Sequence, residues 1–127
     1  MKKVTAALIM HNGRVLIAKR KADDKLANKW EFPGGKVEFG ETPEECLIRE
    51  IKEELDIEII IDSYFAESVY TYPHGTIHLM AYWAKWISGT VKPTVHDDIK
   101  WAPPEELPLY DFAPADIAIV EKLTSGL

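Results

Sequence analysis

Residues 40–57 read GETPEECLIREIKEELDI, with six glutamates in the fifteen positions from Glu41 to Leu55. The stretch has the marks of a helix start. Thr42 can cap, Pro43 suits the first helical position, and Glu45 completes a capping box. Glu44 and Glu45 complement the positive end of the helix dipole. Glu50, Glu53 and Glu54 lie toward the other end, where the dipole offers them nothing. At roughly 100° per residue, Glu50, Glu53 and Glu54 share an arc of about 100°. Leu47, Ile48, Ile51 and Leu55 form the adjoining apolar stripe, spread over about 100° as well. Arg49 lies beside Glu53 and Lys52 lies farther round. Like charges at these spacings repel, and more so when partly desolvated. A plain solvated acidic face, balanced by Arg49 and Lys52, is one explanation. The cluster also follows Gly34-Gly35 and the glycine loop KVEFG, which can bring backbone carbonyls to the same face. Hard oxygen ligands gathered in this way suit Mg²⁺ or Mn²⁺, and such a cation would relieve the repulsion.

Outward from this helix the chain alternates strand and turn signals. VTAALIM and RVLIAKR flank His11-Asn12-Gly13, a hairpin signal. Residues 21–29 are polar loop, and Trp30-Glu31-Phe32 runs into the turn Pro33-Gly34-Gly35. After the helix, IEIII (57–61) reads as a buried strand. SYFAESVYTYP and TIHLMAYWAKWI read as two long strands joined near His74-Gly75. Ile99–Ala102 reads as a short strand, Pro103–Leu107 as a helical turn and Pro114–Leu123 as a last helix. The pattern predicts one α/β domain over residues 1–127, with helices on the faces of a mixed sheet.

Composition narrows the function. The 127 residues are 46% hydrophobic and 28% charged, with net charge -6 and pI near 5.2. That balance speaks against a general binder of nucleic acid or anionic membrane, and a phosphate-handling acidic chain needs a metal. Cys46 is the single cysteine, which excludes an internal disulfide and a Cys-based zinc site and leaves it a packing role. The opening MKKVTAALIM has a short apolar run with no small-residue cleavage site after it, and no later stretch nears the roughly 20 residues that cross a bilayer. The expected location is cytoplasmic.

Written as Gly35-x5-Glu41-x7-Arg49-Glu50-Ile51-x-Glu53-Glu54-Leu55-Asp56-Ile57, the central segment resembles the Nudix box, GX5EX7REUXEEXGU, where U is a bulky aliphatic. Every fixed position matches except the last glycine, which is Asp56 here. NKWEFPGGKVE before the box and the order of elements extend the resemblance over nearly the whole chain. Its detail is similar to the MutT-like branch, down to Ala113-Pro114-Ala115-Asp116 near the end. The resemblance implies an α/β/α sandwich and Mg²⁺-dependent hydrolysis (Mn²⁺ as substitute) of a nucleoside triphosphate to monophosphate and pyrophosphate. Oxidised nucleotides such as 8-oxo-dGTP and pyrimidine ones such as CTP or dCTP are both in range. Two alternatives stay open: a Nudix hydrolase of ADP-ribose or a nucleotide sugar, and a Nudix-like domain that only binds nucleotides. A small nucleotide is the expected partner, with neither nucleic acid nor membrane, and the chain is monomer or homodimer.

Carried over by position, Glu50 and Glu54 are the main metal ligands, with Glu53 a third ligand or the base and the Gly34 carbonyl completing the set. Arg49 orients a glutamate, partnered by Glu41. Arg20 is the expected phosphate arginine, and Glu31, Phe32, Gly34 and Gly35 pass beside the nucleotide. Asp116 is the expected base-reading residue, and Lys25 and Tyr72 are weaker candidates for substrate contact. Asp56 tolerates the left-handed turn that the family's glycine makes. His11, His74, His78 and His96 show no metal spacing and read as surface or satisfied residues. Related enzymes often carry a glutamate where this chain has Val95, so the base falls to Asp97, Asp98 or Glu53.

Overall fold

The computed structural model describes residues 1–126. Its strands are β1 (Lys2–His11), β2 (Arg14–Arg20), β3 (Trp30–Glu31), β4 (Glu58–Tyr72), β5 (Gly75–Ser88) and β6 (His96–Ala102), and its helices are α1 (Pro43–Leu55) and α2 (Pro114–Thr124). They form a mixed sheet in the order β3-β2-β1-β5-β4, with β6 pairing β2. β1 runs parallel to β5 and antiparallel to β2.

β1 is buried on both faces, as its unbroken apolar run requires of a central strand. Ala6 and Leu8 point to one core, with Val15, Ile17, Phe32, Phe112 and the α2 residues Ala115 and Ile119. Ala7 and Ile9 point to the other, with Leu16, Ile57 and the α1 residues Leu47, Ile51 and Leu55. Each large side chain so buried contributes about 1.5–3 kcal/mol. The result is the expected α/β/α sandwich. Among the described residues no helix is long and apolar enough to cross a membrane.

Several sequence readings need correction. IEIII and SYFAESVYTYP are one strand, because the break at Asp62–Tyr64 is accommodated by register shifts at Ile61/Ser63 and Tyr64/Ala66 rather than by a turn. β6 begins at His96, three residues before Ile99, since His96 and Asp98 already pair with Arg20 and Lys19. Ile48, at the rim of the apolar stripe, is 37% exposed. The turn after β6 is a 3₁₀ helix over Pro104–Leu109.

Two features place the site. Pro33–Val37 runs beside β1, with Ala7 N donating to Pro33 O (2.8 Å), Thr5 N to Gly35 O (2.8 Å) and Val37 N to Lys3 O (2.9 Å). Behind it, the loop into β6 is clasped to the end of α1. Thr94 Oγ1 donates to the Glu53 and Glu54 carbonyls at 2.8 and 3.1 Å, and Lys92 N to the Leu55 carbonyl at 2.8 Å. Those carbonyls belong to the set that a helix C-terminus leaves without intrahelical partners.

Candidate active site

α1 starts as its sequence requires. Thr42 Oγ1 accepts from Glu45 N at 3.1 Å and Glu45 Oε1 accepts from Thr42 N at 2.8 Å. It ends on Asp56 in the left-handed conformation (φ 57°, ψ 37°), whose N–H donates to Lys52 O. The family's turn therefore survives without its glycine.

The arginine and glutamates of this helix form one network. Arg49 grips Glu41 with two hydrogen bonds, Nε to Oε2 at 2.6 Å and Nη2 to Oε1 at 2.9 Å. Its Nη1 donates to Glu50 Oε1 at 3.0 Å and reaches Glu53 at 3.4 Å. The hydrogen bonds from Arg49 hold the Glu41 carboxyl down at about 2. Arg49 thus orients Glu50. Glu53 is mostly exposed, with 60% of its side chain open to solvent.

Glu54 turns the other way, into a recess of about 260 Å³ that it lines with Gly34, Glu31 and Arg20. Burial, then the hydrogen bond to Glu50 and the charge of Glu31, push its carboxyl well above the usual carboxylate range. A Cβ at Gly35 would come within 2.3 Å of the Glu50 carboxyl carbon and displace that side chain. At Gly34 a Cβ would lie 2.0 Å from the Thr5 carbonyl oxygen. The Pro33 and Gly35 carbonyls are taken by β1 amides, whereas among the described residues no backbone amide donates to the Gly34 carbonyl.

These donors fit a hard divalent cation. The adjacent Glu50 and Glu54 carboxyls and one free carbonyl are all oxygen, the ligand type that Mg²⁺ and Mn²⁺ prefer. Among the described residues no three His, Cys, Asp or Glu side chains are already arranged to hold a metal ion. A protein set this small matches a metal that keeps waters and substrate phosphates as its remaining ligands.

The far wall comes from the sheet. Glu31 is held at both oxygens, Oε1 by Arg20 Nη1 at 2.8 Å and Oε2 by His96 Nε2 at 2.9 Å. Arg20 also makes two bonds to Asp24, Nε to Oδ1 at 2.9 Å and Nη2 to Oδ2 at 2.8 Å. His96 is the neighbour of Glu31 and Glu54 that sequence reading missed. Its side chain is 3% exposed and its Nε2 lies 3.9 Å from Glu54 Oε1, while its Nδ1 is buried with no partner. A register shift at Lys19/Arg20 skips Asp97 in the ladder. It turns His96 inward and sends Asp97 out to accept from Ala22 N at 3.3 Å. Asp98 accepts from Ile99 N. Asp97 and Asp98 are both exposed, and neither lines the recess, whereas Val95 does.

On the α2 side, Asp116 is 6% exposed, not a solvent-facing helix-end charge. Its Oδ2 accepts from Phe32 N at 3.0 Å. Burial, and then the charge of Glu31, raise its carboxyl pKa. The Phe32 ring is core, packed on Phe112 at 5.3 Å. Tyr72 accepts from Ala115 N through its hydroxyl, and His74 stacks on its ring at 5.3 Å. Lys25 lines a separate cleft with Tyr72 and His74. His78 pairs with Glu67 and His11 packs on Trp86 and Trp101, as surface or satisfied residues do.

The family model described as NUDIX domain matches residues 1–123. The chain belongs to the Nudix family. Nudix hydrolases are generally dependent on a divalent metal. Among Nudix relatives, the CTP pyrophosphohydrolase of Escherichia coli (strain K12) is 40% identical over 121 residues, covering 95% of this chain and 90% of that one. The 8-oxo-dGTP diphosphatase of the same strain is 36% identical over 112 residues, covering 88% and 87%. The solution structure of the E. coli ORF135 protein superposes with a TM-score of 0.89 at 38% identity, covering 98% of this chain and 89% of that one.

Proposed function

We propose that this Nudix hydrolase cleaves nucleoside triphosphates to the monophosphate and pyrophosphate, with Mg²⁺ or Mn²⁺ as cofactor. The observation that carries the reading is Glu54, hydrogen-bonded to Glu50 and lining one recess with Gly34, whose carbonyl is free, in a chain similar over most of its length to two triphosphate-cleaving enzymes. Bound there, the cation would neutralise phosphate charge and polarise the phosphorus under attack.

The protein's own groups do the rest. Arg49 keeps Glu50 oriented. Glu53, solvent-accessible and within the same Arg49 network as Glu50, takes the proton of the attacking water, since Asp97 and Asp98 are engaged by the Ala22 and Ile99 amides and Val95 has no basic atom. Glu31, clamped by Arg20 and His96, forms the floor between the metal side and Asp116. Asp116 reads the base. Its raised pKa favours the neutral acid, and the oxygen not engaged by Phe32 N–H then can donate as well as accept. That range suits both a cytosine and an oxidised guanine edge. A net charge of -6 supports action on free nucleotides in the cytoplasm rather than on nucleic acid.

The deciding experiment incubates the protein and Mg²⁺ with CTP, dCTP, 8-oxo-dGTP, the unmodified triphosphates, ADP-ribose and a nucleotide sugar. Release of pyrophosphate from at least one triphosphate is the expected result. Turnover confined to ADP-ribose or the nucleotide sugar, or release of orthophosphate alone, would overturn the reading.

A further inference from the structure

We infer that Lys21, and not Arg20, is the side chain that meets the phosphate chain of the substrate. The inference rests on the functional reading above and concerns how charge is shared around the recess. Three carboxyl groups line it, from Asp24, Glu31 and Glu54, against the cations Arg20 and Lys21. Arg20 is largely committed: three of its five N–H groups donate to Asp24 and Glu31 at 2.8–2.9 Å, and both carboxylates pair with its charge. Asp24 cannot easily yield, because its Oδ1 also accepts from Leu26 N at 2.9 Å. A phosphate approaching Arg20 finds its charge already shared between two carboxylates.

Lys21 has the opposite character. Among the described residues its ammonium has no ion pair or hydrogen bond to the protein, and its side chain is exposed at the recess wall. Its backbone is nonetheless anchored, with Asp24 N donating to Lys21 O at 3.1 Å and the next amide, Ala22 N, donating to Asp97 Oδ2 at 3.3 Å. A fixed stem with an uncommitted ammonium suits a polyphosphate whose charge changes during reaction. The other lysines of this loop are placed elsewhere. Lys25 lines the separate cleft beside Tyr72, and Lys29 is paired to Asp111 at 2.9 Å. Arg20 and Asp24 then serve to hold Glu31 in place.

The test is calorimetric titration of the parent, Lys21→Gln, Lys21→Arg and a charge-matched control, Lys85→Gln on the exposed side of β5, with magnesium pyrophosphate at low and high salt. Thermal melting of each variant checks the fold. Loss of one charge-assisted contact should weaken binding about five- to tenfold in Lys21→Gln and flatten its salt dependence. Lys21→Arg should stay near the parent, and Lys85→Gln should match it. A Kd for Lys21→Gln within about twofold of the parent, with the same salt slope, overturns the assignment while leaving the functional reading in place. A parent that binds no magnesium pyrophosphate at all would remove the functional reading and, with it, the role of Lys21.

Discussion

Glu54 keeps only 9% of its side chain in contact with solvent and faces Glu50, Glu31 and His96. Such a carboxyl is costly to ionise without a compensating cation. Glu54→Gln keeps shape and helix propensity and removes the charged oxygen, so turnover should fall by at least about 10²-fold. Thermal stability should hold or rise, because a repulsion is gone. Parent-like turnover of the variant at limiting Mg²⁺ would take this helix out of the mechanism. Asp116 permits a second test at the same scale. Asp116→Asn fixes a donor where the parent can be donor or acceptor, and relative kcat/KM among the nucleotides should shift by roughly 10-fold or more. An unchanged ranking would leave Asp116 as no more than the acceptor for the Phe32 amide. The variant also has a pH signature. Below about 3.8 the carboxyl is protonated in both folded and unfolded parent. As pH rises the unfolded chain ionises first, so the parent loses stability that the asparagine variant retains.

α1 is the element most fully legible in the sequence, because its cap, first turn and most of its buried stripe are set by spacing within one continuous segment, while the Arg49–Glu41 pairing follows from the resemblance to the Nudix box. Asp56 at its end gives a clean prediction. A non-glycine residue pays for the left-handed turn, so Asp56→Gly should stabilise by about 0.5–1 kcal/mol in chemical denaturation. The Lys52–Asp56 contact at 3.2 Å is half-exposed and offsets little of this. A net loss of stability would show that this contact outweighs the backbone strain. The parts that sequence reading missed depend on pairing between distant segments. His96 faces inward because one residue is skipped opposite β2, and no alternation within Val95–Trp101 reveals that skip. Asp24 engages Arg20 through a turn in a loop without periodicity. The divergence of Glu53 from Glu54 likewise depends on where the sheet lies. A helical wheel puts both on one arc, but only Glu54 has β6 and the Gly34 segment beside it.

Across the whole molecule, charge is divided between carboxyls held ionised at the surface and carboxyls discouraged from ionising inside. Glu41 is held down at about 2 by Arg49, and Asp24 is lowered by Arg20. A depressed folded-state pKa contributes stability above the unfolded value, near 4.5 for Glu41, and loses it as pH falls through about 2. The acid limb of the stability curve should therefore be shallower in Glu41→Gln between about pH 4.5 and 2 than in the parent. Denaturant titrations at four or five pH values decide it. Parallel curves for the two proteins would mean that the Arg49 pair persists in the unfolded chain or contributes nothing.

The bond from Phe32 N–H to the buried Asp116 carboxyl, at 3.0 Å, also makes that amide a natural spectroscopic reporter. Gly34, two residues along, lies on the proposed cation side of the same stretch of backbone. In a ¹⁵N-labelled sample the Gly34 and Gly35 resonances should move on adding Mg²⁺ alone, while that of Phe32 should move when a nucleoside monophosphate occupies the base side. Two neighbouring signals in one spectrum would then give separate titrations of cation and base, with no turnover required.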